Sequence, residues 1–394
     1  MNILLISRCP PYPLHLGDRL ILGNLMPRLK QRGHRLDLIA FYDRAEDVSQ
    51  LDHYRADFGR VRLIAEPKRS TLRYLTRLFR MFPKQATQSW SPEMWQTIEA
   101  QLSGEKYDIV HLFGGIQVYE YRHLVEQFPS VIVPYESYSL FLLNQLEAAR
   151  GLSRWAILPR FWMAQMFEGA MFRGYGQVVV LTEADAAQLH RLWAGMPTKV
   201  IPNGVDLSKF SPKSRQIQAA EPANILFVGN YEYPPNLDAA LWLAQEIFPL
   251  IRAKYNAELW LVGNAPPESL LQLASDSIHV TGRVPDVVPY YTQATIFICP
   301  LRFGAGIKNK LLEAMAMSLP IVATSLSMEG IAATTGILAA ETAEAIAEAV
   351  LRLLHDPALR EAMGNANRLV VEKQYSWDVV ADQYEALYRE LMAT

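Results

Sequence analysis

The residues with the clearest capacity for chemistry lie in one short segment around position 310. Gly304 and Gly306 form a turn after an apolar, strand-like run, and the helix that follows carries Lys308 and Lys310 in its first turn and Glu313 one turn later. Cations at a helix N-terminus oppose the helix dipole, which costs about 0.3–1 kcal/mol each. A bound anion reverses that cost, because the free backbone N–H groups and both ammonium groups then point towards it.

The spacing of these residues predicts a nucleotide site. Gly306, Lys310 and Glu313 stand three or four residues apart and therefore share one helix face. A diphosphate would fit at the start of the helix, with the ribose hydroxyls on Glu313. The competing interpretation is a pair of solvated lysines and a glutamate on an exposed helix face. The segment GAGIKN lacks the full G-x-G-x-x-G pattern, and no G-x-x-x-x-G-K-[ST] loop occurs, so neither a dehydrogenase nor a P-loop enzyme is well supported.

Length and composition limit the classes of protein. The 394 residues suffice for about two domains, and 50% of them are hydrophobic. The net charge of −2 provides no general attraction to nucleic acid. Cys9 and Cys299 lie in or beside apolar runs, which is typical of buried thiols in a reducing compartment. The N-terminus lacks the pattern of a signal peptide and no apolar run approaches ~18 residues, so we expect a cytoplasmic protein.

Short apolar runs alternate with helical patterns along the chain, which predicts an α/β fold with parallel sheets. The runs lie at residues 3–7, 36–41, 109–113, 131–134, 178–181, 225–228, 258–262, 278–280, 295–299 and 321–324. They are apolar on both faces, as expected for strands covered by helices on both sides of a sheet. The pattern restarts after a polar stretch at 211–223.

We therefore predict two Rossmann-like domains, at 1–175 and 176–376, followed by a helix at 377–394. The last helix either closes a core or crosses back to the first domain, and we favour the crossing. Ligands of such sheets bind beyond the carboxyl ends of the strands, so the cleft between the two domains is the expected site.

Several segments resemble one family in order and in interval. The second half is similar to the donor domain of the retaining family-four glycosyltransferases, which have the two-domain GT-B fold. The segments that carry the resemblance are IPNGV at 201–205, ILFVGN at 225–230, LWLVGN at 259–264, HVTGRVP at 279–285 and FGAGIKNKLLEAMAMSLPIVAT at 303–324. Residues 10–41 are similar to the glycine loop, first helix and second strand of the same family. In detail the chain most resembles bacterial sugar transferases of exopolysaccharide clusters.

The resemblance implies roles for particular residues. The donor-binding candidates are Gly17, Gly229, Arg283, Arg302, Gly304, Gly306, Asn309 and Glu313. The candidates for catalysis are Lys310, Lys308, His111 and Asp18. Asp18 has an equal alternative as the N-cap of the first helix. His111 is the weaker candidate, because in an H-x-H version of the motif the catalytic position falls on Phe113, and a lone histidine at a strand end is more often structural.

Two departures from the family pattern concern the donor site. The family carries two glutamates with seven residues between them, and here Ala305 replaces the first. Many members also carry an arginine and a lysine after the first strand of the second domain, but the segment at 229–240 contains neither. The phosphate charge must then be met by Lys308, Lys310 or Arg302, which lie near the predicted helix start.

The implied reaction passes through an oxocarbenium-like state while negative charge grows on the departing diphosphate. The two lysines and the helix start could neutralise that charge. No D-x-D pair occurs, so we expect transfer without a metal and with no cofactor beyond the nucleotide-sugar donor. The resemblance implies front-face transfer with retention and no firm enzyme nucleophile.

The acceptor side is less defined. The acceptor is expected to be a saccharide or a lipid-linked molecule. Residues 68–84 place four arginines and an apolar stripe at helical spacing, and 155–172 is a second aromatic-rich amphipathic stretch. These patterns suit peripheral contact with the inner face of a membrane, and also suit ordinary surface helices.

Two other functions compete with transfer. One is a nucleotide-sugar epimerase of the same fold, and the other is a degenerate binding protein, against which the retained Lys308, Lys310 and Glu313 argue.

Overall fold

The computed structural model describes residues 1–13, 17–68, 82–134, 136–149, 151, 153–212, 222–304 and 306–393. The chain forms two compact units. The first unit contains residues 1–202 and 380–394, and the second contains residues 203–379.

The first unit is built on a seven-stranded parallel sheet. Its strands are β1 (Asn2–Ser7), β2 (Arg35–Tyr42), β3 (Arg60–Ala65), β4 (Ile109–Phe113), β5 (Ser130–Val133), β6 (Gln177–Val180) and β7 (Thr198–Val200). Their order in the sheet is β3-β2-β1-β4-β5-β6-β7. The central strands are apolar on both faces, so residues such as Leu4, Leu5, Val110 and Leu112 are fully buried beneath the helices.

Helices cover this sheet between the strands. They are α1 (Gly17–Gln31), α2 (Ala45–Ser49), α3 (Leu51–Asp57), α4 (Pro92–Gly104), α5 (Ile116–Tyr119), α6 (Arg122–Val125), α7 (Tyr138–Ala148), α8 (Ser153–Met171) and α9 (Glu183–Leu192). Side-chain caps fix the start of several of them. Thr182, for example, accepts a hydrogen bond from the backbone N–H of Asp185 at the start of α9.

The second unit contains a six-stranded parallel sheet. Its strands are β8 (Ala223–Val228), β9 (Ala257–Val262), β10 (Ile278–Val280), β11 (Ile296–Cys299), β12 (Ile321–Ala323) and β13 (Ile337–Ala339). The order is β10-β9-β8-β11-β12-β13. The chain therefore proceeds outward in one direction from β8 and in the other direction from β11, and these two neighbours form the topological switch point of the sheet.

Helices lie between the strands from β8 to β12, and three more helices follow β13. They are α10 (Pro234–Trp242), α11 (Phe248–Arg252), α12 (Glu268–Leu271), α13 (Val288–Gln293), α14 (Asn309–Ala316), α15 (Ala343–His355), α16 (Pro357–Gln374) and α17 (Trp377–Ala393). A π-helical turn, Leu243–Ile247, joins α10 to α11.

The last helix, α17, begins in the second unit and continues in the first. Trp377 lies against Gly204, where an added Cβ would come within 2.5 Å of the indole. From Val380 onward the helix belongs to the first unit. There Glu385 binds the imidazole of His34 at 2.5 Å and the guanidinium of Arg32 at 3.1 Å.

The predictions of two Rossmann-like α/β domains and of a last helix that returns to the first are confirmed. The first unit extends past residue 175, because β6 and β7 pair with the first sheet. The strands β3, β7 and β13 were not among the predicted runs. Cys9 and Cys299 are both buried, and neither forms a disulfide bond.

Candidate active site

The candidate site lies at the switch point of the second sheet, where the loops that follow β8 and β11 leave neighbouring strands. The β8 loop begins at Gly229, and the β11 loop contains Gly304 and Gly306. In an open parallel sheet, the crevice beyond such a pair of strands is where ligands bind. All the donor candidates other than Gly17 lie in this unit.

Close backbone packing shapes the β8 side of the site. Gly263, at the end of β9, has φ 153°. A Cβ at Gly263 would lie 1.7 Å from the carbonyl oxygen of Gly229, so only glycine permits the contact between these two loops. A Cβ at Gly229 would itself come within 3.1 Å of Asn236. The backbone at Gly229 is therefore held close to the first turn of α10.

The β11 side turns sharply into α14. Gly304 and Gly306 have φ 132° and 72°, which are backbone conformations that favour glycine. Lys308 takes the N-cap position of α14, and its side chain supplies no cap to the helix N–H groups. Instead its ammonium group donates a hydrogen bond to the carbonyl oxygen of Gly306. Lys308 is 8% exposed, so it reinforces the turn beneath the helix start.

Lys310 connects the two sides of the site. Its Nζ donates to Oδ1 of Asn236 at 2.5 Å and lies 4.5 Å from the centre of the Phe227 ring in β8. Asn236 is held in turn because its Nδ2 donates to the carbonyl oxygen of Asn230 at 2.9 Å. Burial lowers the pKa of Lys310 from 10.5 to about 8. The ammonium group is thus a desolvated cation that an anion would stabilise.

Glu313 lies one turn further along α14. Its Oε2 accepts a hydrogen bond from the hydroxyl of Tyr291 at 2.8 Å, and Tyr291 is fully buried in α13. Burial raises the pKa of Glu313 from 4.5 to about 7. The Tyr291 hydroxyl thus fixes one of the two carboxylate oxygens. A carboxylate oriented in this way can accept bonds from a pair of vicinal hydroxyls.

The other predicted cations are placed differently. Arg302 donates two hydrogen bonds to Asp238, at 2.5 and 2.8 Å, and its guanidinium stacks on Trp242. Its charge is therefore already matched by a carboxylate. Arg283 is exposed and has no hydrogen bond or ion pair with another residue in the described ranges. Asn309 accepts a hydrogen bond from Nδ2 of Asn203 at 2.8 Å, which ties the start of α14 to the 201–205 segment.

The acceptor-side candidates do not gather in the same way. His111 is fully buried in the middle of β4, with Nδ1 2.6 Å from the Tyr388 hydroxyl and its ring stacked on Tyr384. Burial lowers the pKa of His111 to about 3, so the ring is neutral. These contacts favour the structural alternative, and we do not propose His111 for catalysis. Helix α1 begins at Gly17, and the Asp18 side chain lies outside the described residues.

Two features predicted from the sequence lie, wholly or in part, outside the residues that the structure describes. Ala305 is outside the described residues, as are residues 69–81 of the amphipathic segment predicted at 68–84.

Across the described ranges, no group of three or more His, Cys, Asp or Glu side chains could hold a metal ion. Among the same residues, no helix is long and apolar enough to cross a membrane.

Sequence reasoning missed the residues that hold Lys310 and Glu313 in place. Asn236 and Tyr291 are 74 and 22 residues away from their partners. The only sequence signal for Asn236 was its position in the segment that follows β8 and Gly229, near the start of α10.

Two family models match the chain, one in each half. The model described as "Glycosyltransferase Family 4" matches residues 21–209, and the one described as "Glycosyl transferases group 1" matches residues 222–356. Together they include β8, β11 and the whole of α14.

Curated relatives align with about half of the chain at less than 30% sequence identity. A GDP-mannose-dependent monoacylated alpha-(1-6)-phosphatidylinositol monomannoside mannosyltransferase of Corynebacterium glutamicum is 28% identical over 52% of this chain and 61% of its own length. The capsular polysaccharide biosynthesis glycosyltransferase CapM of Staphylococcus aureus is 24% identical over 48% of this chain and 53% of its own. The chain thus aligns with little more than half of either relative.

Solved structures match over nearly the full chain. A sucrose-phosphate synthase from Thermosynechococcus elongatus superposes with a TM-score of 0.69 at 19% identity, covering 100% of this chain and 99% of its own. WaaG, a glycosyltransferase involved in lipopolysaccharide biosynthesis, gives 0.64 at 17% identity, covering 98% and 99%. At these identities the likeness concerns the fold.

Proposed function

Because the chain belongs to glycosyltransferase family 4 and has the GT-B fold, we propose that it transfers a sugar from a nucleoside-diphosphate sugar to an acceptor, with retention and without a metal. The observation that carries the proposal is the pair of partly buried groups on one face of α14. Lys310 offers a desolvated cation where the diphosphate is expected, and Glu313 offers an oriented carboxylate one turn away.

The chemistry follows from the charges of the site. As the bond between the sugar and the diphosphate breaks, negative charge grows on the departing oxygen. An ammonium group already held in place stabilises that charge without reorganising during the reaction. The free N–H groups at the start of α14 add to this effect. The acceptor hydroxyl forms the new bond on the face that the diphosphate leaves, and its proton passes to the departing phosphate.

We assign the remaining donor contacts by position. Gly229, Gly304 and Gly306 let the diphosphate approach the backbone closely, and Asn309 keeps the start of α14 in register with the 201–205 segment. Lys308 supports the turn, and Arg283, which is unpaired among the described residues, is available to the donor's base or sugar. Arg302 contributes least, because Asp238 already pairs with it. The acceptor is proposed to be a saccharide or a lipid-linked saccharide, by analogy with the relatives named above.

The test is calorimetric titration with the diphosphates of uridine, guanosine, adenosine and thymidine. We expect one of them to bind, and Glu313→Gln to weaken it roughly tenfold or more, the loss of about one charge-assisted hydrogen bond. The matched control is Glu348→Gln, because Glu348 is an exposed glutamate on another helix of the same unit. Equal affinities of wild type and Glu313→Gln would remove Glu313 from the site.

A donor-consumption assay separates the alternatives. A transferase consumes the matching nucleotide sugar rapidly only when an acceptor is added. An epimerase isomerises or hydrolyses the donor without an acceptor, and a binding protein leaves it intact. Either of the last two results would overturn the proposal.

A further inference from the structure

Helix α8 of the first unit presents a stripe of large apolar side chains to solvent. Trp155, Trp162, Met163 and Met166 are 72%, 62%, 48% and 69% exposed. Their spacings of seven, eight and eleven residues from Trp155 place all four within one sector of the helix. The stripe from 155 to 166 is about 16 Å long at about 1.5 Å per residue.

The opposite side of α8 fixes the orientation of this stripe. Ala164, Glu168 and Met171 are buried, and they lie on the helix face away from the tryptophans. The Glu168 carboxylate accepts hydrogen bonds from the backbone N–H groups of Tyr138 and Ser139, at 2.6 and 3.3 Å. Helix α8 is therefore locked to the start of α7, so the apolar stripe cannot turn inwards.

The exposed charges of α8 itself have one sign. The exposed ionisable residues of α8 are Arg154 and Arg160, which flank the stripe, and the sole acid of that helix, Glu168, is buried. On α7 the only acid is Glu147, in the last turn. An exposed apolar stripe with flanking arginines complements a surface that is apolar inside and anionic outside.

Tryptophan adds a second argument for a lipid surface. Its indole combines a large apolar ring with one N–H donor, which suits the boundary between lipid headgroups and acyl chains. A helix with aromatic residues on one face and arginines beside them lies in the plane of such a boundary. A contiguous exposed apolar patch is unusual on a protein that has no partner for it.

We propose that the α8 stripe, defined by Trp155, Trp162, Met163 and Met166, docks the protein on the surface of an anionic phospholipid bilayer. The helix lies parallel to the surface, with both tryptophans inserted at headgroup depth and both arginines beside lipid phosphates. The inference goes beyond the proposed transfer reaction and does not depend on it, because it concerns binding in the absence of donor and acceptor.

The test is co-sedimentation of the full chain with vesicles of phosphatidylglycerol and phosphatidylcholine, against vesicles of phosphatidylcholine alone. We expect binding to the anionic vesicles that weakens as salt is added. Trp155→Ala combined with Trp162→Ala should reduce the affinity at least tenfold, because burying one large apolar side chain accounts for about that factor. Leu369→Ala is the matched control, since Leu369 is an exposed apolar residue (55%) on a helix of the second unit.

A fluorescence measurement distinguishes insertion from indirect effects. Trp155→Phe combined with Trp162→Phe keeps the apolar surface, so vesicle binding should persist. Quenching of tryptophan emission by brominated lipid should fall strongly in this variant. Unchanged quenching would show that other tryptophans face the lipid, and would overturn the assignment to α8.

Two further results would also overturn the proposal. The first is absence of binding to anionic vesicles by a wild-type protein that is folded by circular dichroism. The second is self-association in sedimentation velocity that the two alanine substitutions abolish while vesicle binding is unaffected, because the stripe would then be an interface between copies of the chain.

Discussion

Replacement of Lys310 by Met tests the central cation of the site in two independent ways. The substitution keeps the apolar stem and deletes the charge. The folded protein lowers the pKa of Lys310 from 10.5 to about 8, chiefly by burial. At about 1.4 kcal/mol for each pH unit, holding this ammonium in the folded protein costs roughly 3 kcal/mol at pH 7.

The sign of the pH dependence follows from that cost. Because the folded-state pKa lies below the unfolded value, the penalty is present in full below pH 8 and vanishes above pH 10.5. Wild type should therefore gain unfolding free energy relative to Lys310→Met by roughly 2–3 kcal/mol between pH 7 and pH 10. The lost hydrogen bond to Asn236 shifts the difference by a constant amount and leaves its slope with pH unchanged.

At pH 7, removing the Lys310 charge should lower turnover, although it also removes the cost of holding that charge in the folded protein. Removing one preorganised charge donor costs about 10²–10³ in turnover, and the effect should fall mainly on kcat because the leaving-group charge grows during the reaction. The assays are denaturant unfolding at the two pH values and steady-state transfer. Lys373→Met is the control, because Lys373 is exposed on α16.

Three outcomes would refute this reasoning. A difference in unfolding free energy that does not change with pH would mean that Lys310 is not a desolvated cation. Near-wild-type turnover in Lys310→Met, with a large loss in Lys308→Met or Arg302→Met, would identify a different phosphate cation. Full activity in all three variants would place the phosphate site away from α14.

Two other predictions concern the same site. Diphosphate affinity should be greatest between about pH 7 and 8, because protonation below pH 7 removes the acceptor charge of Glu313 and deprotonation above pH 8 removes the cation of Lys310. Calorimetry across pH 5.5–9.5 measures both limbs, and Glu313→Gln should flatten the acidic limb alone; a limb that survives this substitution belongs to another group. Transfer should also continue in EDTA at the wild-type rate, whereas activity lost in EDTA and restored by Mg²⁺ or Mn²⁺ would contradict metal independence.

The sequence allowed the prediction of the fold class and of the helix that carries the site. Continuous apolar runs indicated most strands, and the three-to-four spacing of Gly306, Lys310 and Glu313 follows from their positions in the chain. The strand β3 was missed because its sequence RVRLIA alternates between polar and apolar residues, and its exposed edge position permits that pattern. The three-residue strands β7 and β13 were also missed.

Long-range contacts explain the features that the sequence could not reveal. The side chains in contact with Lys310 and Glu313 include Phe227, Asn236 and Tyr291, and no local sequence pattern connects these residues. The same holds for His111. Its hydroxyl partner, Tyr388, is 277 residues further along the chain, so its structural role became visible only in three dimensions.

The return of α17 to the first unit has a consequence for biosynthesis. The second unit is one continuous stretch of chain, 203–379, and all of it leaves the ribosome before the last residues of the first unit do. Until Tyr384 and Tyr388 emerge, His111 in the central strand β4 lacks the rings that bury it. The N-terminal unit therefore completes its folding last, and a chain that stops at Val379 would carry a finished C-terminal unit beside an N-terminal sheet with one helix missing.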